Sequence, residues 1–283
     1  MDAHLLVIGL GFSGTAIARA ARAAGWRVTA TARDPARAQA PAGITLIPFA
    51  EAGEAIRAAT HLVSTAPPGE AGDPVLATHA EALRAAPLRW IGYLSTTGIY
   101  GDRGGAWVDE TAEPAPAQPR SLRRRAAEQE WEAIAPHAAL DLFRCAGIYG
   151  PGRSALDELR AGTARRVIKP GHAFSRIHVE DIARAVLAAA SAPPPPGTRV
   201  LHLADDEPAE SATVTEGAAR LLGLPPPPPI PFEEARATMS PMALSFWSEN
   251  RRIANARTKA ALGLSWRYPT WREGLAAILS EEG

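Results

Sequence analysis

His4-Leu5-Leu6-Val7-Ile8-Gly9-Leu10-Gly11-Phe12-Ser13-Gly14 is the stretch that decides the fold. An apolar run of strand length stops at a glycine. Three glycines spaced Gly-x-Gly-x-x-Gly then lead into residues 14–24, where alanines and Ile17 recur at helical spacing before Gly25 closes the run. Strand, tight turn and helix in this order are the context in which such glycines bind a dinucleotide. Gly9 permits the turn, Gly11 lets main chain approach a pyrophosphate, and Gly14 lets the helix pack close to the strand. The helix N-terminus presents free N–H groups and a partial positive charge to the phosphate, and Phe12 and Ser13 of the turn are expected to bind the cofactor with the glycines.

The same rhythm continues outward. Residues 26–32, 44–49, 61–66, 88–95 and 140–146 read as further strands, with helices over 79–86 and 121–135. Strands alternating with helices predict an α/β fold, a Rossmann-like doubly wound parallel sheet. Beyond residue 150 the rhythm loosens. A helix over 179–190, a strand over 199–203 and two proline runs, 193–196 and 225–229, read as later elements joined by stiff connectors. The expected organisation is a core over residues 1–150 and a smaller C-terminal substrate lobe over 151–283, with about 175–205 returning to the core. A chain of 283 residues is long enough for both.

Composition narrows the function. Thirty basic and thirty acidic side chains cancel, which argues against a nucleic-acid or polybasic membrane partner. No apolar run approaches the roughly 20 residues of a membrane helix, and Met1-Asp2-Ala3-His4 enters a strand with no secretory leader. The single cysteine, Cys145, excludes an intrachain disulfide framework and a cysteine-rich zinc site. The expectation is a soluble cytoplasmic protein with a small-molecule substrate and no metal.

The end of the second strand should read the adenosine ribose. An NAD site usually carries a carboxylate there, roughly 20 residues after the glycines. Here the sequence is Thr29-Ala30-Thr31-Ala32-Arg33-Asp34, so Thr31 or Ala32 takes that place. Arg33 follows, and a guanidinium suits a 2′-phosphate. This favours NADP. Asp34 keeps NAD open: it either caps the next helix ahead of Pro35, or binds ribose if the register slips.

Four later segments carry a family resemblance: Leu94-Ser95-Thr96-Thr97-Gly98-Ile99-Tyr100-Gly101-Asp102, Phe143-Arg144-Cys145-Ala146-Gly147-Ile148-Tyr149-Gly150-Pro151-Gly152, residues 174–183 around Arg176-Ile177-His178-Val179, and residues 202–208. With the glycine turn they resemble the extended and atypical short-chain dehydrogenase/reductase superfamily, often labelled NAD-dependent epimerase/dehydratase. The resemblance implies a Rossmann core, a substrate lobe, hydroxyl chemistry at Thr96 and Thr97, and a cofactor wall at Thr65, Ala66 and Pro67. The family often forms homodimers, although no dimer face is readable here.

The departure from the family lies in the helix after the acidic loop. In the family, that helix carries Tyr-x-x-x-Lys, whose phenol exchanges a proton with substrate oxygen. No such pair exists in this chain. Aligning Glu128 with the family's glutamate puts Arg120 at the tyrosine position and Arg124 at the lysine position. Arg124 or Arg125 can keep the charge and the ribose contact; Arg120 stays protonated and cannot donate at neutral pH. Tyr100 is the nearest alternative phenol. The expected function is therefore an NAD(P)-dependent oxidoreductase or epimerase acting on a small polar or nucleotide-linked substrate. The alternative is an NAD(P)-binding regulator that has lost its chemistry.

Overall fold

The computed structural model describes residues 3–134 and 136–281. Met1, Asp2 and the expected helix end at Ala135 lie outside them. The chain divides into two compact units: Met1–Ile99 with Pro119–Arg144 and Ile182–Leu201, and Tyr100–Gln118 with Cys145–Asp181 and His202–Gly283.

The first unit is built on a seven-stranded sheet. Its strands are β1 (His4–Ile8), β2 (Arg27–Ala32), β3 (Thr45–Pro48), β4 (His61–Ser64), β5 (Trp90–Thr96), β6 (Ala139–Cys145) and β7 (Gly197–Leu203), in the order β7-β6-β5-β4-β1-β2-β3. Register is parallel from Ile8 to Thr31, from Ile8 to Ser64 and from Ser64 to Tyr93. All five residues of β1 and all seven of β6 are buried. Strands buried on both faces read as unbroken apolar runs, which is why the alternation was visible in the sequence. This is a Rossmann-like fold, with helices α1 (Phe12–Ala23), α2 (Ala52–Ala58), α3 (Pro74–Ala85) and α4 (Pro119–Ile134). Leu6, Ile8, Leu62, Ile91 and Leu142 of the sheet pack with Ile56, Leu83 and Trp131 of the helices. Each such side chain stabilises the core by roughly 1.5–3 kcal/mol.

α3 begins at Pro74 rather than at His79. Asp73 caps it, accepting from Val75 N at 2.8 Å and Leu76 N at 3.3 Å, with Pro74 at the first helical position. His79 kinks the helix (φ −126°, ψ 17°) while its ring bonds Phe49 O at 2.8 Å. The kink breaks the apolar period that the sequence offers. α2 escaped notice because a short run of alanine, glycine and glutamate carries little period.

The second unit uses short strand pairs. Gly147–Tyr149 runs parallel to Arg176–His178, Trp107–Val108 to Arg252–Ile253, and Arg166–Ile168 to Pro229–Pro231. Thus the second proline run ends as a strand, which is tolerated because that pair has free edges. Around these strands lie α5 (Ala155–Arg160), the start of α6 (Val179–Ser191), α7 (Ser211–Leu221) and the C-terminal helix Trp271–Glu281. Ser154 and Asp157 form a capping box on α5. Tyr149, Leu156, Val214, Ala218, Trp271 and Leu275 make the local core.

Candidate cofactor site at the strand ends

In the first unit, the C-terminal ends of β1, β2, β4 and β5 meet at the glycine turn. Gly9 has φ +96°, a value that L side chains rarely adopt. Its N–H donates to Thr31 Oγ1 at 3.1 Å, and its carbonyl accepts from Thr65 Oγ1 at 2.7 Å. Leu10 N donates to Thr31 O at 2.9 Å. Thr31 and Thr65 therefore hold the turn from both sides. Thr31 is buried, so the residue at the expected ribose position spends its hydroxyl on the turn instead. Thr65 sits one residue beyond β4.

The three glycines do separate jobs. A Cβ on Gly14 would stand 2.0 Å from Gly9 O, so α1 can approach β1 only without a side chain there. A Cβ on Gly11 would meet nothing within 4 Å, so the space it faces is open. Gly11 is the N-cap of α1, with no side-chain cap and no acidic residue in the first turn, and the N–H groups of that turn include those of Phe12 and Ser13. An open cradle beside uncapped N–H groups fits a pyrophosphate.

At the end of β2, Asp34 accepts from Ala36 N at 3.1 Å and caps the short helix Pro35–Arg37. Its carboxylate thus serves the cap. Arg33 beside it is exposed.

Arg124 is anchored where β4 and β5 end. Its Nη1 donates to Tyr93 Oη at 3.0 Å, to Leu94 O at 2.9 Å and to Ala66 O at 3.4 Å. The guanidinium lies 5.4 Å from the Tyr93 ring centroid. Burial raises the Tyr93 phenol's pKa, so it stays neutral as an acceptor. The structure thus brings Thr65, Ala66 and Arg124 together with the glycine turn; Pro67 is exposed just beyond. Tyr93 as the anchor of Arg124 had no signal in the sequence beyond its place on a buried strand.

Below this anchor lies a buried charge network. Glu128 is fully buried and accepts from Ser95 Oγ at 2.6 Å, Arg144 Nε at 3.1 Å, Arg144 Nη2 at 2.9 Å and Arg125 Nη1 at 3.1 Å. It shares the buried face of α4 with Ser121, Ala127, Trp131 and Ile134. The network fixes Ser95, and with it the exit of β5 toward Thr96 and Thr97. Thr96 Oγ1 accepts from Gly98 N at 3.0 Å, bonding its own turn. The Thr97 hydroxyl makes no hydrogen bond among the described residues.

In the second unit, Tyr100 is fully buried, and its phenol oxygen lies 2.6 Å from His202 Nε2. His202 Nδ1 in turn lies 2.8 Å from Ala254 O. The expectation of a Tyr100 phenol presented to substrate is corrected by this geometry, which gives it a partner inside the protein and no exposed surface. Asn255 and Arg251 also turn inward, to Ala204 O and Asp206, and to Gly101 O and Glu249.

No family model matches the chain. A functionally unknown conserved protein from Silicibacter pomeroyi is 43% identical in sequence and superposes with a TM-score of 0.92, covering 99% of each chain. The fold is also that of solved NAD-dependent epimerase/dehydratase structures, one of them from Methylobacillus flagellatus at 24% identity with a TM-score of 0.74 over 100% of this chain and 99% of that chain. A 3-diazoavenalumate denitrifying reductase from Streptomyces is 32% identical over 213 residues, which are 69% of this chain and 66% of that reductase. The chain thus spans just under two thirds of that relative. A human epimerase family protein, SDR39U1 isoform 2 with NADPH, shares the same fold at 19% identity, with a TM-score of 0.77 over 98% of this chain and 99% of that chain. No helix among the described residues is long and apolar enough to cross a membrane.

Proposed function

We propose that the chain is an NADP(H)-dependent reductase of small polar substrates that works without a phenolic proton donor. The observation that carries this reading is the open cradle at Gly11 beneath the uncapped start of α1. The human neighbour, solved with NADPH, supports the cofactor class. Gly9, Gly11, Phe12, Ser13 and Gly14 hold the pyrophosphate, and Thr65, Ala66 and Pro67 form the wall beside it. Arg33 takes the 2′-phosphate, since Asp34 is committed to its cap. When bound, the cofactor supplies the hydride.

The chain's own contribution is binding and polarisation. Arg124 keeps a fixed cation at the ends of β4 and β5, where the family has lysine. Thr97 offers its unengaged hydroxyl to a substrate oxygen; Thr96 supports the turn that presents it. Tyr100 receives no proton-transfer role. A carbonyl that takes hydride must be protonated on oxygen, whereas a diazonium carbon that takes hydride loses its nitrogen as N2 and has no oxygen to protonate. The second kind of acceptor suits a site with arginine in place of tyrosine, and the name of the Streptomyces relative points the same way.

Calorimetric titration with NADPH and NADH, followed by NADPH oxidation over a panel of carbonyl and aromatic diazo compounds, tests the reading. Selective NADPH binding with turnover that falls in Thr97→Val supports it. Tight NADPH binding with no turnover across the panel favours the regulator, which the missing Tyr-x-x-x-Lys also fits. No binding of either nucleotide overturns both.

A further inference from the structure

The second unit contains a pocket of about 380 Å³ between α5, α7, the C-terminal helix and the Gly147–Tyr149 strand. Its size is within the range of small-molecule sites. None of Gly9–Gly14, Thr96, Thr97 or Arg124 lines it.

The wall is polar on one side and carries charges of both signs. Arg176 donates from Nη1 to Phe174 O at 2.8 Å and Ala209 O at 3.0 Å, which locks the guanidinium in place. It makes no other hydrogen bond and no ion pair among the described residues, so Nε and Nη2 keep their donors. These two form one edge of the planar fork, the edge that matches a carboxylate. Glu158, from α5, also makes no side-chain hydrogen bond or ion pair among the described residues. Its neighbour Asp157 is committed to the capping box. Arg176 and Glu158 thus line the same pocket with no hydrogen bond or ion pair between them, although each favours the other's charged form, and the buried Asp205 also acts on Arg176.

Further donors lack partners. The Tyr149 hydroxyl and the Trp271 indole N–H are buried with no hydrogen-bond partner, and the two residues are 8% and 1% exposed. Native structures rarely leave such groups unsatisfied without water or ligand. Ser211 opens α7 on the same wall; α7 has no side-chain cap and no acidic residue in its first turn, so its N-terminus favours a negative group. Val214 and Leu275 complete the lining with apolar surface.

We infer that this pocket binds a small zwitterion of the α-amino-acid type. Its carboxylate sits against Arg176 and the start of α7, its ammonium against Glu158, and its short apolar side chain against Val214 and Leu275. A simple anion engages only the open edge of Arg176, and a simple cation engages only Glu158. A ligand carrying both charges matches both at once.

The full chain is titrated calorimetrically with L-valine, isobutyrate, isobutylamine and inorganic phosphate, and the remaining protein amino acids are screened by thermal shift. The expected result is saturable binding of an amino acid at least tenfold tighter than either single-charge analogue. Glu158→Gln should weaken the amino acid at least tenfold and leave isobutyrate unchanged. Arg176→Gln should abolish binding of both. Because Arg176 also ties two carbonyls, Ser211→Ala provides a variant that keeps the fold and still weakens the carboxylate. No saturable binding by any amino acid at millimolar concentration overturns the inference, as does binding that survives Glu158→Gln undiminished. Binding of phosphate alone overturns it as well. Titration of the wild-type chain with NADPH in parallel keeps this outcome separate from the fate of the cofactor reading.

Discussion

The two units make their recognition surfaces from different materials. The glycine turn of the first unit works through main chain: N–H groups at the start of α1, a carbonyl held by Thr65, and the absence of a Cβ at Gly11 and Gly14. The pocket of the second unit works through side chains, a guanidinium and a carboxylate contributed by different segments. A main-chain site is damaged by adding atoms, and a side-chain site by removing them. The most informative substitutions therefore run in opposite directions in the two units.

The largest effect is expected at the glycines. Gly14→Ala places a carbon 2.0 Å from Gly9 O, and neither the turn nor α1 can shift without disrupting both. NADPH binding should fall more than a hundredfold, with a clear drop in melting temperature. Gly11→Ala meets nothing within 4 Å and sits at an extended backbone conformation (φ −92°, ψ −161°). It should leave the melting temperature unchanged and still weaken NADPH, because the methyl group occupies the approach of the pyrophosphate. A Gly11→Ala protein that binds NADPH normally would remove the cradle from the argument and leave the turn as packing alone.

Next comes Glu128→Ala. It removes the carboxylate that faces Arg144 and Arg125 and breaks a buried ion pair. Such a loss typically costs about 3–5 kcal/mol. Chemical denaturation should report it, and Ser95→Ala should cost less, because only one bond to the same carboxylate is lost. Equal costs for the two substitutions would show that the charge pairing contributes little beyond the hydroxyl contact.

This contrast also explains what the sequence made legible. Glycine spacing is a local signal, so Gly9 to Gly14 and β1 were readable from eleven consecutive letters. The strands of the sheet were readable because burial on both faces makes continuous apolar runs. The burial of Glu128 is not legible because sequence shows helical spacing but not which face of α4 is covered. Tyr100 was misjudged for a related reason: its partner, His202, stands far along the chain. The pocket of the second unit was invisible, since Tyr149, Glu158, Arg176, Ser211 and Trp271 share no motif and meet only in the fold. α3 was cut short because a kink at His79 interrupts the period.

Arg33 gives a smaller, selective effect. With Asp34 holding the cap of the following helix, Arg33→Ser should weaken NADPH about tenfold, some 1.4 kcal/mol, and leave NADH within twofold. Parallel titrations check this. A loss shared equally by NADH would move Arg33 from the 2′-phosphate to the general electrostatics of the site.

The smallest effect compares the two units through their histidines. In the first unit, burial is the leading cause that lowers the pKa of His61 to about 4 and also lowers that of His4. In the second, burial again leads in lowering His172 to about 4 and in lowering His178. A histidine whose folded pKa lies below its unfolded value near 6.5 contributes stability that is fully present above 6.5 and is lost as pH falls toward 4. All four act in the same direction. The histidine contribution to the urea midpoint should therefore hold above pH 7 and drop between pH 6.5 and 4, opposed by Asp205, whose carboxyl pKa is raised by burial to about 8. His61→Gln and His172→Gln should each flatten that drop by part of its slope. If the chain unfolds in one transition, both substitutions flatten the same curve; if the units unfold separately, each flattens only its own. Profiles of His61→Gln and His172→Gln that match the wild type between pH 7 and 4 would mean that these rings take up protons as readily folded as unfolded, and the burial that holds them neutral would have to be withdrawn.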